Sequence, residues 1–188
     1  MKFEDAIALA KSRSDCAPEN IDSLVQIVNE LADICGSIAE CGSYRCGATI
    51  AIASVTSKQV FAFDLFGGLP YGEGAGFENF GNVDFEEIKS TVAPFPNLFL
   101  IKGRHEKTIP CFSPRPLSLI FMDSDFYWSH WTCLSYFWPM LSSEGKIVFH
   151  DWSFEGVQKA IKEVIPPDQI LESGIVPSSP NMGYITKK

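Results

Sequence analysis

Five short stretches of this chain carry residue types able to do chemistry, and each directly follows an apolar run. Glu40 stands at the end of Ile38-Ala39, and Gly42-Ser43-Tyr44 through Gly47 form a loop behind it. Asp64 ends Val60-Phe61-Ala62-Phe63, and Gly103-Arg104 follows Leu98-Phe99-Leu100-Ile101-Lys102. Asp123-Ser124-Asp125 ends a run from Leu117, and His150-Asp151 ends Ile147-Val148-Phe149. A glycine loop after a strand lets a ligand approach the backbone, and an acid ending the next strand can accept both hydroxyls of a ribose. Together they predict a pocket for a nucleoside-bearing molecule.

The local chemistry discriminates between such molecules. The dinucleotide loop G-x-G-x-x-G admits a pyrophosphate through three glycines, whereas this loop has only Gly42 and Gly47, with Glu40 just before it. A carboxylate repels a pyrophosphate but attracts the ammonium and sulfonium of S-adenosylmethionine, which is the cofactor these residues favour over NAD. Asp123, His150 and Asp151 pose a separate question. Two acids and an imidazole on adjacent strand ends suit a divalent cation: oxygen ligands favour Mg²⁺ or Ca²⁺, and the imidazole tilts the set toward Mn²⁺, Fe²⁺ or Zn²⁺. A bound cation would orient a substrate hydroxyl and lower its pKa. Without metal, His150 is a candidate general base, and Asp123 and Asp151 face the cofactor or cap helices. Among the aromatic residues around these acids, Tyr127 and Trp152 are the candidates for a ligand-facing wall; Phe126, Trp128 and Trp131 read as packing residues.

These residues need a scaffold that brings five strand ends to one edge. Helical spacing of apolar residues predicts a helix over 21–34 capped by Asn20, with further helices over 48–57, 84–93, 129–141 and 154–164. Strands are predicted at 37–41, 59–64, 97–101, 117–122 and 146–149, with a closing antiparallel pair within 170–185. Alternating strands and helices give an α/β fold: a three-layer, Rossmann-like, mainly parallel sheet of about seven strands, the last antiparallel, with helices on both faces. We find no repeat or linker, so residues 1–188 read as one domain: a helical segment over 1–36, a cofactor-binding core over 37–165 and C-terminal strands over 166–188. The glycine- and aromatic-rich stretch 66–82 reads as a functional loop. Six cysteines without a C-x-x-C pair, and a start without an apolar leader, predict free thiols and a cytoplasmic location. A net charge of −8 disfavours nucleic acid and anionic membranes as partners, and no apolar stretch reaches the about 18 residues of a membrane span.

At this point the chain resembles the class I S-adenosylmethionine-dependent methyltransferases, and within them the macrocin O-methyltransferase group. Glu40 to Gly47 is similar to that group's E-x-G-x-x-x-G-G loop, with Cys46 where the pattern has a glycine. Phe63-Asp64-Leu65-Phe66-Gly67-Gly68-Leu69-Pro70 resembles its F-D-S-F-E-G-L-P, and Gly103 through Thr108-Ile109-Pro110 its G-x-x-x-x-T-L-P. Asp123-Ser124-Asp125-Phe126-Tyr127 and Gly145 through Asp151-Trp152 resemble its D-x-D-x-Y and G-G-x-x-x-x-D-D-Y. The resemblance implies that Glu40 and Gly42 line the methionine end of the cofactor, that Asp64 holds the ribose, and that Gly103 and Arg104 lie near the adenine, with Ser43, Tyr44, Gly47 and Asp123 also binding the cofactor. It implies a Mg²⁺ site at Asp123, His150 and Asp151, where His150 stands in place of a carboxylate. The implied activity is O-methylation of a small hydroxylated acceptor such as a sugar or natural product. The alternatives are a non-catalytic methyltransferase-like binding module and an NAD-dependent oxidoreductase. About 36 residues precede the first strand, fewer than those sugar enzymes use as a lid, so the acceptor pocket is expected from the 66–82 loop, a homodimer partner, or both.

Overall fold

The computed structural model describes residues 1–68, 80–81, 83–113 and 116–188. Most of the 66–82 loop therefore lies outside the described residues. Two helices lead the chain, α1 (Phe3–Arg13) and α2 (Pro18–Glu30), followed by β1 (Ser37–Cys41), α3 (Gly47–Ser54), β2 (Val60–Asp64), α4 (Phe85–Val92), β3 (Leu98–Lys102) and a single-turn α5 (His105–Thr108). Then come β4 (Leu117–Met122), α6 (Tyr127–Phe137), β5 (Leu141–Phe149), α7 (Glu155–Val164), β6 (Ile170–Val176) and β7 (Ser179–Lys187).

The seven strands form one sheet in the order β3-β2-β1-β4-β5-β7-β6. β1 to β5 are mutually parallel, and β7 runs antiparallel between β5 and β6. Both faces are covered because alternate residues of each central strand are apolar on both sides. Val60, Ala62, Leu119 and Phe121 pack with α1 to α4 on one face. Phe61, Phe63, Ile120 and Met122 pack with α6 and α7 on the other, where Phe137, Val157 and Ile161 meet them. The strand order reverses between β1 and β4, where the loops leave toward opposite faces and open a crevice beyond the strand ends.

Four backbone hydrogen bonds carry the pairing one residue past the strands. Gly42 N donates to Phe63 O (2.9 Å), Asp123 N to Cys41 O (2.8 Å), His150 N to Met122 O (2.9 Å) and Gly103 N to Asp64 O (2.9 Å). The chemically equipped residues are thus extensions of the ladder rather than residues of free loops.

The boundaries depart from the sequence reading in physically informative ways. Asn20 does not cap α2: the helix starts at Pro18, whose fixed φ and missing N–H suit a first turn, and Asn20 is buried inside it. α6 ends at Phe137 because Pro139 turns the chain into a short 3₁₀ segment, and β5 begins at Leu141, well before the expected 146. All six cysteines are free. Among the described residues no helix is long and apolar enough to cross a membrane.

α1 buttresses the site. Its last turn crosses the start of α3, where a Cβ on Gly47 would lie 2.4 Å from Ser14 N. Arg13, only 7% exposed, donates from both Nη atoms to Glu87 of α4 (2.7 and 2.9 Å) and from Nε to the carbonyl of Arg45 in the glycine loop (3.0 Å). Arg13→Ala removes three charge-assisted bonds and is expected to cost about 2 kcal/mol. Urea denaturation checks this, and Glu87→Ala, which truncates a half-exposed residue, should cost less.

Candidate active site

The glycine loop is built by close approach. Gly42 has φ +87°, and a Cβ there would sit 2.0 Å from the carbonyl oxygen of Asp123. Only a residue without a side chain lets the loops after β1 and β4 meet. Two further loop residues, Tyr44 (φ +46°) and Cys46 (φ +61°), adopt left-handed conformations without being glycine. Asp64 holds this arrangement: its Oδ2 accepts from Ser43 N and Tyr44 N (2.8 Å each), and its Oδ1 accepts from Phe66 N (2.6 Å). Asp64 is therefore the loop's anchor, while Oδ1 keeps one lone pair for a ligand.

Glu40 is 1% exposed and accepts a short hydrogen bond from Thr49 of α3. Burial pushes its carboxyl up to about 8, against the pull of the Thr49 hydroxyl, and nearby Asp123 adds to the rise. The acid is thus mostly protonated near neutrality.

Across the crevice, His150 Nδ1 lies 3.1 Å from Asp123 Oδ1 and 3.1 Å from Asp151 Oδ2. It points squarely at neither and is a buried nitrogen without an aligned hydrogen bond. Nε2 faces the side-chain amide of Asn181 at 2.9 Å. Burial works against protonation of this ring, but the two carboxylates prevail and raise it to about 10. Asp125 is pushed up to about 7, by burial first and then by Asp123 and Asp151. Both Asp125 (φ +59°) and Asp151 (φ +51°) sit in left-handed conformations that turn their side chains into the site. The carboxylates of Asp123, Asp125 and Asp151 lie within 4.8 Å of one another, as do the donor atoms of Cys16, Asp123 and His150. A cluster this rich in electron pairs, with a ring nitrogen and a thiol among its donors, fits a divalent cation.

These residues surround one cavity of about 680 Å³, into which Glu40, Gly42, Ser43, Tyr44, Gly47, Asp64, Gly103, Arg104, Asp123, His150 and Asp151 all open. The structure thus brings the expected cofactor, metal and catalytic candidates to one place. Tyr127 and Trp152 are not part of its lining. The Tyr127 hydroxyl is bonded to Glu163, and the Trp152 ring lies flat where a Cβ on Gly183 would be. The aromatic lining comes instead from Tyr44, Phe80 and Phe154, and from Phe126 and Trp128, which line the cavity contrary to their reading as packing residues. Sequence reasoning also missed Cys16, from the connector between α1 and α2, and His105, whose Nδ1 lies 3.4 Å from the Cys133 thiol. Cys16 carries no local motif, and His105 falls at a variable position of the Gly103–Thr108 stretch.

The strand order, the glycine loop at the switch point and the acid ending β2 define a nucleoside-cofactor-binding α/β domain. The sequence profile of the macrocin-O-methyltransferase (TylF) family matches residues 16–173. No curated protein sequence matches the chain. The fold is similar to that of the O-methyltransferase NovP, with a TM-score of 0.82, 19% identity, and coverage of 94% of this chain and 82% of that one. It is also similar to CalS11, a TDP-rhamnose 3′-O-methyltransferase of calicheamicin biosynthesis (TM-score 0.69, 15% identity, 98% and 92% covered). An O-methyltransferase from Bacillus cereus in complex with S-adenosylhomocysteine is a third (TM-score 0.67, 11% identity, 98% and 90% covered). The chain belongs to the macrocin-O-methyltransferase family, and is an S-adenosylmethionine-dependent O-methyltransferase.

Gly42→Ala forces a side chain into backbone at a left-handed position. It is expected to cost at least about 2 kcal/mol and to weaken S-adenosylhomocysteine binding at least about tenfold, measured by denaturant unfolding and calorimetry.

Proposed function

We propose that this site transfers a methyl group to a hydroxyl of a small acceptor, a sugar or comparable natural product, with Asp123 receiving the hydroxyl proton. The observation that carries this reading is the placement of Asp123, His150 and Asp151 across one cavity from Glu40, all on adjacent strand ends. CalS11 acts on TDP-rhamnose, and the half-exposed rings of Trp128 and Phe154 at the cavity suit a sugar or other flat-faced acceptor.

Bound S-adenosylmethionine supplies an electrophilic methyl on a sulfonium. Glu40 and the Ser43 backbone hold its methionine end, Asp64 its ribose, and Gly103 with Arg104 the adenine side. Asp123 faces the acceptor hydroxyl and takes its proton as oxygen attacks in line. Asp151 and Asn181 fix the His150 ring, and the ring holds the Asp123 carboxylate in one orientation. A divalent cation held by Asp123, His150 and Asp151 would lower the hydroxyl pKa further. Because in-line transfer is a positional problem, preorganisation of these groups supplies much of the rate.

Asp123→Asn should lower turnover at least about 100-fold while leaving S-adenosylhomocysteine affinity within a few-fold of the parent. Unchanged turnover would remove Asp123 from the mechanism; cofactor binding without turnover of any hydroxylated acceptor would mark a binding module.

Glu40 makes a second test. Its carboxyl is raised from 4.5 to about 8, so its contribution to stability is full below pH 4.5 and is lost as pH rises through about 8. Cationic cofactor lowers that pKa. Binding of S-adenosylmethionine at about pH 7 should therefore release a fraction of a proton, and at about pH 9.5 none. Calorimetry in buffers of different ionisation enthalpy reads this, and Glu40→Gln should abolish the release.

A further inference from the structure

The expected cation site draws its ligands from the ends of β4 and β5, but the structure brings another donor to the same point from far away in the chain. Cys16, 8% exposed, hangs from the connector after α1, where its amide is tied to the Ser14 hydroxyl at 3.1 Å. Its thiol donates to Asp123 Oδ2 at 3.3 Å, while His150 Nδ1 lies 3.1 Å from the other oxygen of the same carboxylate. We propose that Cys16, Asp123 and His150 form a three-ligand site for a thiophilic divalent cation of the Zn²⁺ class, in place of a Mg²⁺ site at Asp123, His150 and Asp151. This rests on the reading of Asp123 and His150 as the reacting end of the methyltransferase pocket.

Three features support the assignment. The first is spacing. Zinc bonds of about 2.3 Å to sulfur and about 2.0–2.1 Å to nitrogen or oxygen imply tetrahedral edges of about 3.5 Å for S···O and about 3.3 Å for N···O. The observed contacts of 3.3 and 3.1 Å run to the two different oxygens of the Asp123 carboxylate, and one donor atom from each of the three residues lies within 4.8 Å of the others, so the carboxylate must turn to bring one oxygen to both partners as an ion enters. The second is the buried imidazole. Nδ1 of His150 faces the carboxylates of Asp123 and Asp151 at 3.1 Å each, and the Asn181 amide lies against Nε2 at 2.9 Å, so the ring is held from both sides. A cation between Nδ1 and Sγ would replace the Nδ1 proton beside these carboxylates. The third is donor softness. Thiolate and imidazole select Zn²⁺ and its neighbours, whereas Mg²⁺ takes oxygen and keeps its waters. The competing trio of Asp123, Asp125 and Asp151 contains carboxylates alone and leaves both soft donors unused. Ion uptake is a ligand exchange without redox change: Sγ–metal and Nδ1–metal bonds form, and the thiol proton and the Nδ1 proton both pass to solvent. Three protein ligands leave a fourth position open to the acceptor hydroxyl.

The test is a titration of Co²⁺ into the metal-free full-length protein, followed by absorption. The expected result is a near-ultraviolet sulfur-to-cobalt charge-transfer band with tetrahedral visible bands, displaced by Zn²⁺ but not by Mg²⁺. Cys16→Ser should abolish the charge-transfer band, and His150→Ala should weaken Co²⁺ binding at least about tenfold. X-ray absorption of the zinc-loaded parent protein, which needs no variant to fold, should show one sulfur among nitrogen and oxygen scatterers. A band that persists in Cys16→Ser, a spectrum without sulfur, or equal displacement by Mg²⁺ would overturn the proposal. S-adenosylhomocysteine binding, measured separately on the parent, reports on the methyltransferase reading alone.

Discussion

The structure turns on one backbone contact: the loop after β1 lies directly on the loop after β4, with Gly42 against the carbonyl of Asp123 and Asp123 N bonded to Cys41 O. This contact sits where the strand order reverses, so it sets the distance between the half of the crevice lined by the glycine loop and Asp64 and the half lined by Asp123, Asp125 and Asp151. The surrounding structure supports it. Asp64 fastens the glycine loop from β2, α1 presses on it through Arg13 and Ser14, and the ladder bonds beyond β3 and β5 bring Gly103 and His150 into line.

Much of this was legible in the sequence because burial on both faces writes itself as unbroken apolar runs. Val60 to Phe63 and Leu117 to Met122 need apolar side chains at every position, and the first polar residue after each marks the strand's end and the site together. The glycine of closest approach was legible for the same reason: no other residue fits. What stayed hidden was whatever depends on contacts between distant segments. α1 buries only Ala6, Ala10 and Arg13, too small an apolar stripe to announce a helix. The extra residues of β5, among them Ser142, Ser143 and Glu144, are polar and gain their strand character from neighbours rather than from their own preferences. Cys16 reaches Asp123 across 107 residues, a separation no local pattern encodes.

The aromatic residues teach the same lesson in reverse. Proximity in sequence to Asp123 and Asp151 made Tyr127 and Trp152 attractive as ligand-facing groups, yet each has a stronger partner elsewhere: Lys159 over the Tyr127 ring and Phe149 beside the Trp152 ring. Trp128 and Phe154, one and two residues away, face the cavity instead. On a helix one residue's displacement rotates a side chain by about 100°, enough to exchange core for ligand.

The ladder bonds that reach past the strand ends have a further consequence. Neighbouring strands stand about 4.8 Å apart, so side chains at adjacent tips are set out at intervals close to the reach of a shared proton or ion. The sheet acts as a ruler, and the residue at each graduation can be exchanged without redrawing the scale. His150 occupies such a graduation: its backbone is held by Met122 O whatever its side chain, so an imidazole can stand at a tip where a carboxylate would serve as well. The fold thus separates the question of where a reaction happens from that of which acid, base or ion performs it, and new chemistry can be tried at a strand tip at little risk to the core.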